Sequence, residues 1–224
     1  MNKKLQKLIL FFDVNETLLD LKEVRNSVAD ALNGNEEIAS LWFETLLHYS
    51  LVSTAVDEYQ NFGDIGAAAL VMLAESRGIE LHMEAAHEIL IPIRSAPAHP
   101  EVPEALEHLK SKGYRMAALT NSPREGMETQ LKNAGIGNYF EQQLSVEDIG
   151  LYKPHLHVYR WAARQMNIPP ESCLFIAAHG WDVAGAMSAG MKAAFLNRPG
   201  QHLYPLSEKP VFIEPDLKSL SSKL

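Results

Sequence analysis

An apolar run, Leu8-Ile9-Leu10-Phe11-Phe12, ends at a carboxylate, Asp13, and a short turn of Val14-Asn15-Glu16-Thr17 follows. A run of this length closed by a polar turn reads as a buried central strand of a parallel sheet, and such sheets bind ligands at the carboxyl ends of their strands. That reading puts Asp13 where chemistry is done. An aspartate in this place also suits a helix N-cap, and this segment alone leaves the two readings level.

Four later segments repeat the strand pattern. Tyr114–Leu119 runs into Thr120-Asn121-Ser122-Pro123, Leu144–Val146 is short, Ser172–Ala178 runs into His179-Gly180, and Lys192–Leu196 meets Asn197-Arg198-Pro199-Gly200. Between them the spacing predicts helices over Pro103–Lys112, Arg124–Ala134, His155–Asn167 and Trp181–Ala189, each stopped by glycine or proline. Strands alternating with helices of this length predict an α/β chain, a Rossmann-like doubly wound parallel sheet. Residues 18–97 differ. They carry helical periodicity (Ile38 to Tyr49, Ile65 to Arg77, Met83 to Ile93) without a strand, and they end in the Pro-rich Ser95-Ala96-Pro97-Ala98-His99-Pro100. We therefore expect a core of residues 1–17 and 98–224, with 18–97 inserted as a helical cap (lid) above Asp13.

Composition narrows the partners. A formal charge of -8 gives no basic patch for nucleic acid or an anionic membrane. The stretch from Lys3 to Phe12 is too short to span a bilayer and lacks a cleavage site. Cys173 is the only cysteine, inside the apolar Leu174-Phe175-Ile176 run, which excludes an intrachain disulfide and suits a reducing, cytoplasmic setting. His155 and His157 would point apart on a helix, and the other histidines have no ligand spacing, so no metal site is expected.

With Asp13, Thr120, Lys153 in Leu151-Tyr152-Lys153-Pro154, and Asp182 in this order, the chain resembles the haloacid dehalogenase superfamily. That superfamily places a nucleophilic Asp after the first strand, a Ser or Thr after the second, then a Lys, then an acidic turn. Ala177-Ala178-His179-Gly180-Trp181-Asp182 and Lys153-Pro154 with Val158-Tyr159 are similar to the 2-haloacid dehalogenase branch. The resemblance implies a hydrolase that turns short (S)-2-haloacids into (R)-2-hydroxy acids through an ester on Asp13, needs no cofactor, and forms homodimers. It implies that Lys153 keeps Asp13 ionised, that Thr120 and Asn121 bind the substrate carboxylate, and that Asp182 is essential, with Thr17 a further catalytic candidate. Tyr159, Trp181, Leu47 and Phe62 match pocket positions, and Asn15 and Phe43 join them as substrate-binding candidates. Lys153 and Thr120 also read as helix-start residues, and Trp42, Phe43 and Trp181 as packing.

Four departures carry chemical meaning. The phosphatases of the superfamily protonate their leaving group with an Asp two residues after the nucleophile, and here that residue is Asn15. They hold Mg²⁺ partly through an acidic residue four positions before Asp182, and here that residue is Ala178. A halide needs no proton, and a hard oxygen-ligated cation site cannot be built from alanine. Both losses point to metal-free attack on carbon. In the better-known dehalogenases Asn occupies the position of His179, and an Arg follows the lid tryptophan where Trp42 is followed by Phe43. His179 should share the sheet edge with Asp13, with Glu16 three residues past the nucleophile, which predicts a Glu16–His179 dyad as base for the second step. A solvent-exposed loop histidine is the plainer alternative for His179. Phe43 leaves the halide with an apolar wall only. A phosphatase acting on a small metabolite and a catalytically degenerate binding protein remain as other functions.

Overall fold

The computed structural model describes residues 8–34 and 36–224, so Lys3 to Lys7 of the N-terminal stretch lie outside the described residues. β1 (Ile9–Phe12), β2 (Met116–Thr120), β3 (Gln142–Ser145), β4 (Cys173–Ala177), β5 (Lys192–Leu196) and β6 (Phe212–Glu214) form one parallel sheet in the order β3-β2-β1-β4-β5-β6. β1, β2 and β4 are buried at every position, which their unbroken apolar sequences require of strands covered on both faces. Phe12 is in register with Ala118 on one side and Ile176 on the other. Chain order therefore reverses between β1 and β4, and the residues just past these strands meet in the crevice that such a reversal opens.

Between β1 and β2 come α1 (Lys22–Ala31), α2 (Glu36–Ala55), α3 (Phe62–Glu75) and α4 (Met83–Ile89); the core helices are α5 (Val102–Ser111), α6 (Arg124–Asn133), α7 (Leu156–Gln165), α8 (Gly180–Ser188) and α9 (Leu217–Lys223). α5 and α6 lead into and out of β2, and α7 and α8 flank β4. The helix expected to reach Ile93 stops at Ile89 and tightens into a 3₁₀ turn over Ile91–Ser95, because Pro92 has no N–H to continue an α-helical ladder. The strand expected over Leu144–Val146 starts earlier, at Gln142, on the sheet edge where an apolar residue is not demanded. α1, β6 and α9 come without a sequence expectation.

The chain leaves the sheet for α1–α4 and returns at one place. Asp20 N donates to Pro97 O at 2.8 Å and His99 N to Leu18 O at 2.9 Å, so outgoing and returning segments run side by side next to the β1 turn. α2 lies against α3 through the buried Trp42, whose indole N–H donates to Gly66 O at 2.9 Å. Among the described residues no helix is long and apolar enough to cross a membrane.

Candidate active site

Asp13 extends the β1–β4 ladder by one bond, its N–H donating to Ile176 O at 3.0 Å, and its carboxylate is left at the sheet edge with 5% exposure. A buried carboxylate requires partners for both oxygens. Oδ1 accepts from Lys153 Nζ at 2.8 Å; Oδ2 accepts from the Thr17 hydroxyl at 2.6 Å and faces His179 Nδ1 at 3.2 Å. Thr17 Oγ1 in turn accepts from Ala178 N at 2.9 Å, which ties the β1 turn to the end of β4.

Lys153 is buried with every ammonium proton used: on Asp13, on Asp182 Oδ2 at 2.6 Å and on Leu119 O at 3.1 Å. Asp182 stands in the first turn of α8, where the helix dipole favours an anion, and its Oδ1 accepts from the Tyr159 hydroxyl at 2.5 Å. Its approach depends on Gly185. A Cβ at that residue would lie 2.5 Å from Pro154 Cβ and 2.7 Å from Tyr159 Oη, so any larger residue would push α8 away from Lys153.

His179 occupies the N-cap position of α8 and is buried. Its second nitrogen, Nε2, lies 3.0 Å from Glu16 Oε2. Glu16 also accepts from Arg25 through Oε1 and from Gln201 Nε2 at 3.2 Å, and it holds a left-handed backbone, φ 59°, that costs a non-glycine residue about 1 kcal/mol. The imidazole stacks on Trp181, 5.3 Å between centroids, and on Phe43, 5.9 Å.

The titration behaviour follows from this crowding. Burial pushes the Asp13 carboxyl up, but the Lys153 charge and the His179 hydrogen bond more than reverse it and hold Asp13 well below the usual carboxylate range. Asp182, sharing Lys153 but more deeply placed, is pushed up by burial against the pull of the ammonium. Burial likewise lifts Tyr159 well above the phenol range. Burial disfavours a charged His179, yet hydrogen bonds to Asp13 and Glu16 raise it to about 9. Both ring nitrogens face carboxylate oxygens, so both carry protons and the resting residue is an imidazolium. Because this value lies above the ordinary 6.5, the stabilisation is complete below pH 6.5 and is lost as pH rises through about 9. Urea midpoints should fall across that window by up to about 3 kcal/mol in stability, and His179→Gln should flatten the decline. An equal decline in the variant would assign the effect elsewhere.

Asp13, Asn15, Phe43, Leu47, Phe62, Thr120, Asn121, Lys153, His179 and Trp181 enclose a cavity of about 10 Å³, room for a single water. The Asn121 carbonyl accepts from Lys153 N at 3.0 Å, while its buried amide Nδ2 has no partner; Thr120 Oγ1 accepts from Ser122 N at 3.1 Å and keeps its proton to donate. Two expected pocket residues serve differently. Tyr159 is not at the cavity: fully buried between α7 and α8, it positions Asp182 from behind. Asn15 lines the cavity, but its amide is spent on Ser122 Oγ at 3.1 Å and on Gln130 Nε2 at 2.9 Å. Sequence reading misses Arg25, Gln201, Ser122 and Gln130; only Ser122 lies within a strand-to-helix turn that marks it.

A Mg²⁺ site does not fit here. The space beside the Asp13 oxygens is filled by an ammonium, an imidazolium and a hydroxyl, Ala178 offers no oxygen side chain, and no cluster of His, Cys, Asp and Glu suited to a metal occurs among the described residues.

The chain is similar to known proteins over nearly its whole length. The chain is 29% identical over 190 residues to (S)-2-haloacid dehalogenase 4A of Burkholderia cepacia, covering 84% of this chain and 82% of that one. It is 28% identical over 210 residues to haloacetate dehalogenase H-2 of Moraxella sp. (strain B), covering 93% and 94%. The crystal structure of the L-2-haloacid dehalogenase RSc1362 superposes with a TM-score of 0.91 at 25% identity, covering 97% of this chain and 98% of that one. A family model matches residues 8–190, the span from β1 through α8 that carries every side chain named at the site except Gln201, and the chain thus belongs to the haloacid dehalogenase-like hydrolases.

Proposed function

We propose that the protein hydrolyses short-chain (S)-2-haloalkanoic acids to (R)-2-hydroxy acids through an ester on Asp13, without a metal. The observation that carries this reading is the state of Asp13: a buried carboxylate paired on both oxygens with Lys153 and His179 and held anionic by them. The names of the relatives point to the same substrate class.

An Asp13 oxygen attacks C2, the carbon–halogen bond breaks, and the halide leaves with the bonding electrons, inverting C2. Thr120 and Asn121 donate to the substrate carboxylate, using the hydroxyl proton and the amide group that the fold leaves free. Lys153, fixed by Asp182, supports the charge of Asp13 until the bond forms. Esterification removes one of the two carboxylates that keep His179 protonated, so its pKa falls and Nδ1 releases its proton to solvent, the proton that accompanies the departed halide. Glu16 retains Nε2–H and the ring orientation, and His179 then takes a proton from the water that attacks the Asp13 carbonyl. The acyl–oxygen bond to Asp13 breaks, the departing alkoxide receives that proton, the proton left on the new Asp13 carboxyl passes to His179 Nδ1 to restore the resting ion pair, and C2 keeps its inverted configuration.

The cavity beside Asp13, about 10 Å³, is smaller than a three-carbon acid, so Phe43, Leu47 and Phe62 give way for substrate to enter. We assign this movement to residues 18–97 as a cap on a core of 1–17 and 98–224. Homodimerisation belongs to the same proposal: Tyr49, Val52, Val56 and Met72 expose an apolar face on α2 and α3 that a second copy would cover, which light scattering checks. So does a cytoplasmic setting, given the buried free Cys173.

The deciding experiment measures chloride or bromide release from 2-chloro- and 2-bromopropanoate with a chelator present, beside p-nitrophenyl phosphate hydrolysis with Mg²⁺. Halide release that withstands chelation is the expected result. Metal-dependent phosphate release without halide release would overturn the proposal.

A further inference from the structure

Two of the chain's departures from the family pattern touch each other. Position 43, where the resemblance puts arginine, holds phenylalanine, and position 179, where it puts asparagine, holds histidine. The half-buried Phe43 reaches from α2 onto the His179 ring, with 5.9 Å between centroids and 25° between planes. Trp181 stacks on the same imidazole at 5.3 Å and 27°. The ring edges are taken by Asp13 Oδ2 and Glu16 Oε2. Every element around the imidazole can be named: the β1 turn gives the anions Asp13 and Glu16, and Lys153 stands behind Asp13. Arg25 of α1 and the neutral Gln201 act on Glu16, α8 adds Asp182 through Lys153, and α2 contributes the uncharged Phe43.

We propose that Phe43 is a positioning residue for His179, its ring holding the imidazolium against Asp13 and Glu16. The reasoning is electrostatic. The face of an aromatic ring attracts a cation within about 6 Å of its centroid. An arginine in place of Phe43 would set a second cation at that distance and drive the proton off His179.

The test follows the His179 ring by NMR titration of the substrate-free enzyme, in the wild type and in F43R, F43L and F43W. F43R should lower the midpoint by about 1–2 pH units, F43L by about half a unit or more, and F43W should leave it within about half a unit of the wild type. In the hydrolytic reaction proposed above, the acid limb of kcat for 2-bromopropanoate should shift with the midpoint. Only this activity arm rests on the proposed function. A shifted midpoint in a chain that releases no halide would retire the dehalogenase reading and leave the positioning role standing. An unshifted midpoint in folded F43R, or in F43L if F43R does not fold, overturns the inference. So does an F43R variant that releases halide faster with an unchanged pH profile.

Discussion

Asp13→Asn should abolish halide release, with turnover down by at least about 10⁴-fold, the scale on which removal of a covalent nucleophile acts. The substitution keeps the shape of the side chain, and Lys153 remains paired with Asp182, so circular dichroism should report an intact fold, with an unfolding midpoint lowered because Lys153 and His179 lose a buried counter-charge. The loss is chemical: a neutral amide oxygen cannot displace halide from C2. Single turnover in isotopically labelled water supplies the positive control. The wild-type protein should carry solvent oxygen in the Asp13 carboxylate, because water attacks that carbonyl and the original oxygen leaves with the product. Label found only in the product would mean direct attack of water on C2, and Asp13 would lose its assigned role.

His179→Ala should separate the two halves of the reaction. Halide release continues for one turnover, since Asp13 keeps Lys153 and Thr17, while ester hydrolysis slows by about 10²–10⁴-fold, the usual contribution of a general base. Intact mass should then show the protein carrying the dehalogenated acid, and peptide mapping should place it on Asp13. A variant that turns over freely with no adduct would remove His179 from the hydrolytic step. Glu16→Gln is the milder companion, because the Nε2–H of His179 keeps an acceptor there but loses the charge that supports it.

Most of the sheet is legible in the sequence because β1, β2 and β4 are covered on both faces and so consist of unbroken apolar residues. The same cause exposes Asp13 and His179, which interrupt such runs at the same edge. β6 escapes notice since it is a three-residue edge strand whose Ile213 is half exposed. α1 hides its packing face in Val24, Val28 and Ala29 among charged residues, and missing α1 means missing Arg25. α9 does leave a sign: Asp216 caps its first turn by accepting from Ser219 N at 2.7 Å, ahead of Leu217 and Leu220. Tyr159 illustrates the limit of motif reading. Its position in a pattern gives proximity to the site, but only the close approach of α8 at Gly185 shows that it faces Asp182 rather than the cavity.

The left-handed backbone at Glu16 sets a tension between durability and turnover. Glycine in its place would relax the turn by about 1 kcal/mol, but the folded chain would lose the carboxylate that pairs with His179, Arg25 and Gln201. The carboxylate thus holds an uncomfortable place because it orients His179. In lineages freed from that demand, drift should erode this position early, and a glycine or asparagine aligned with it would mark a copy that has kept its architecture and abandoned its chemistry.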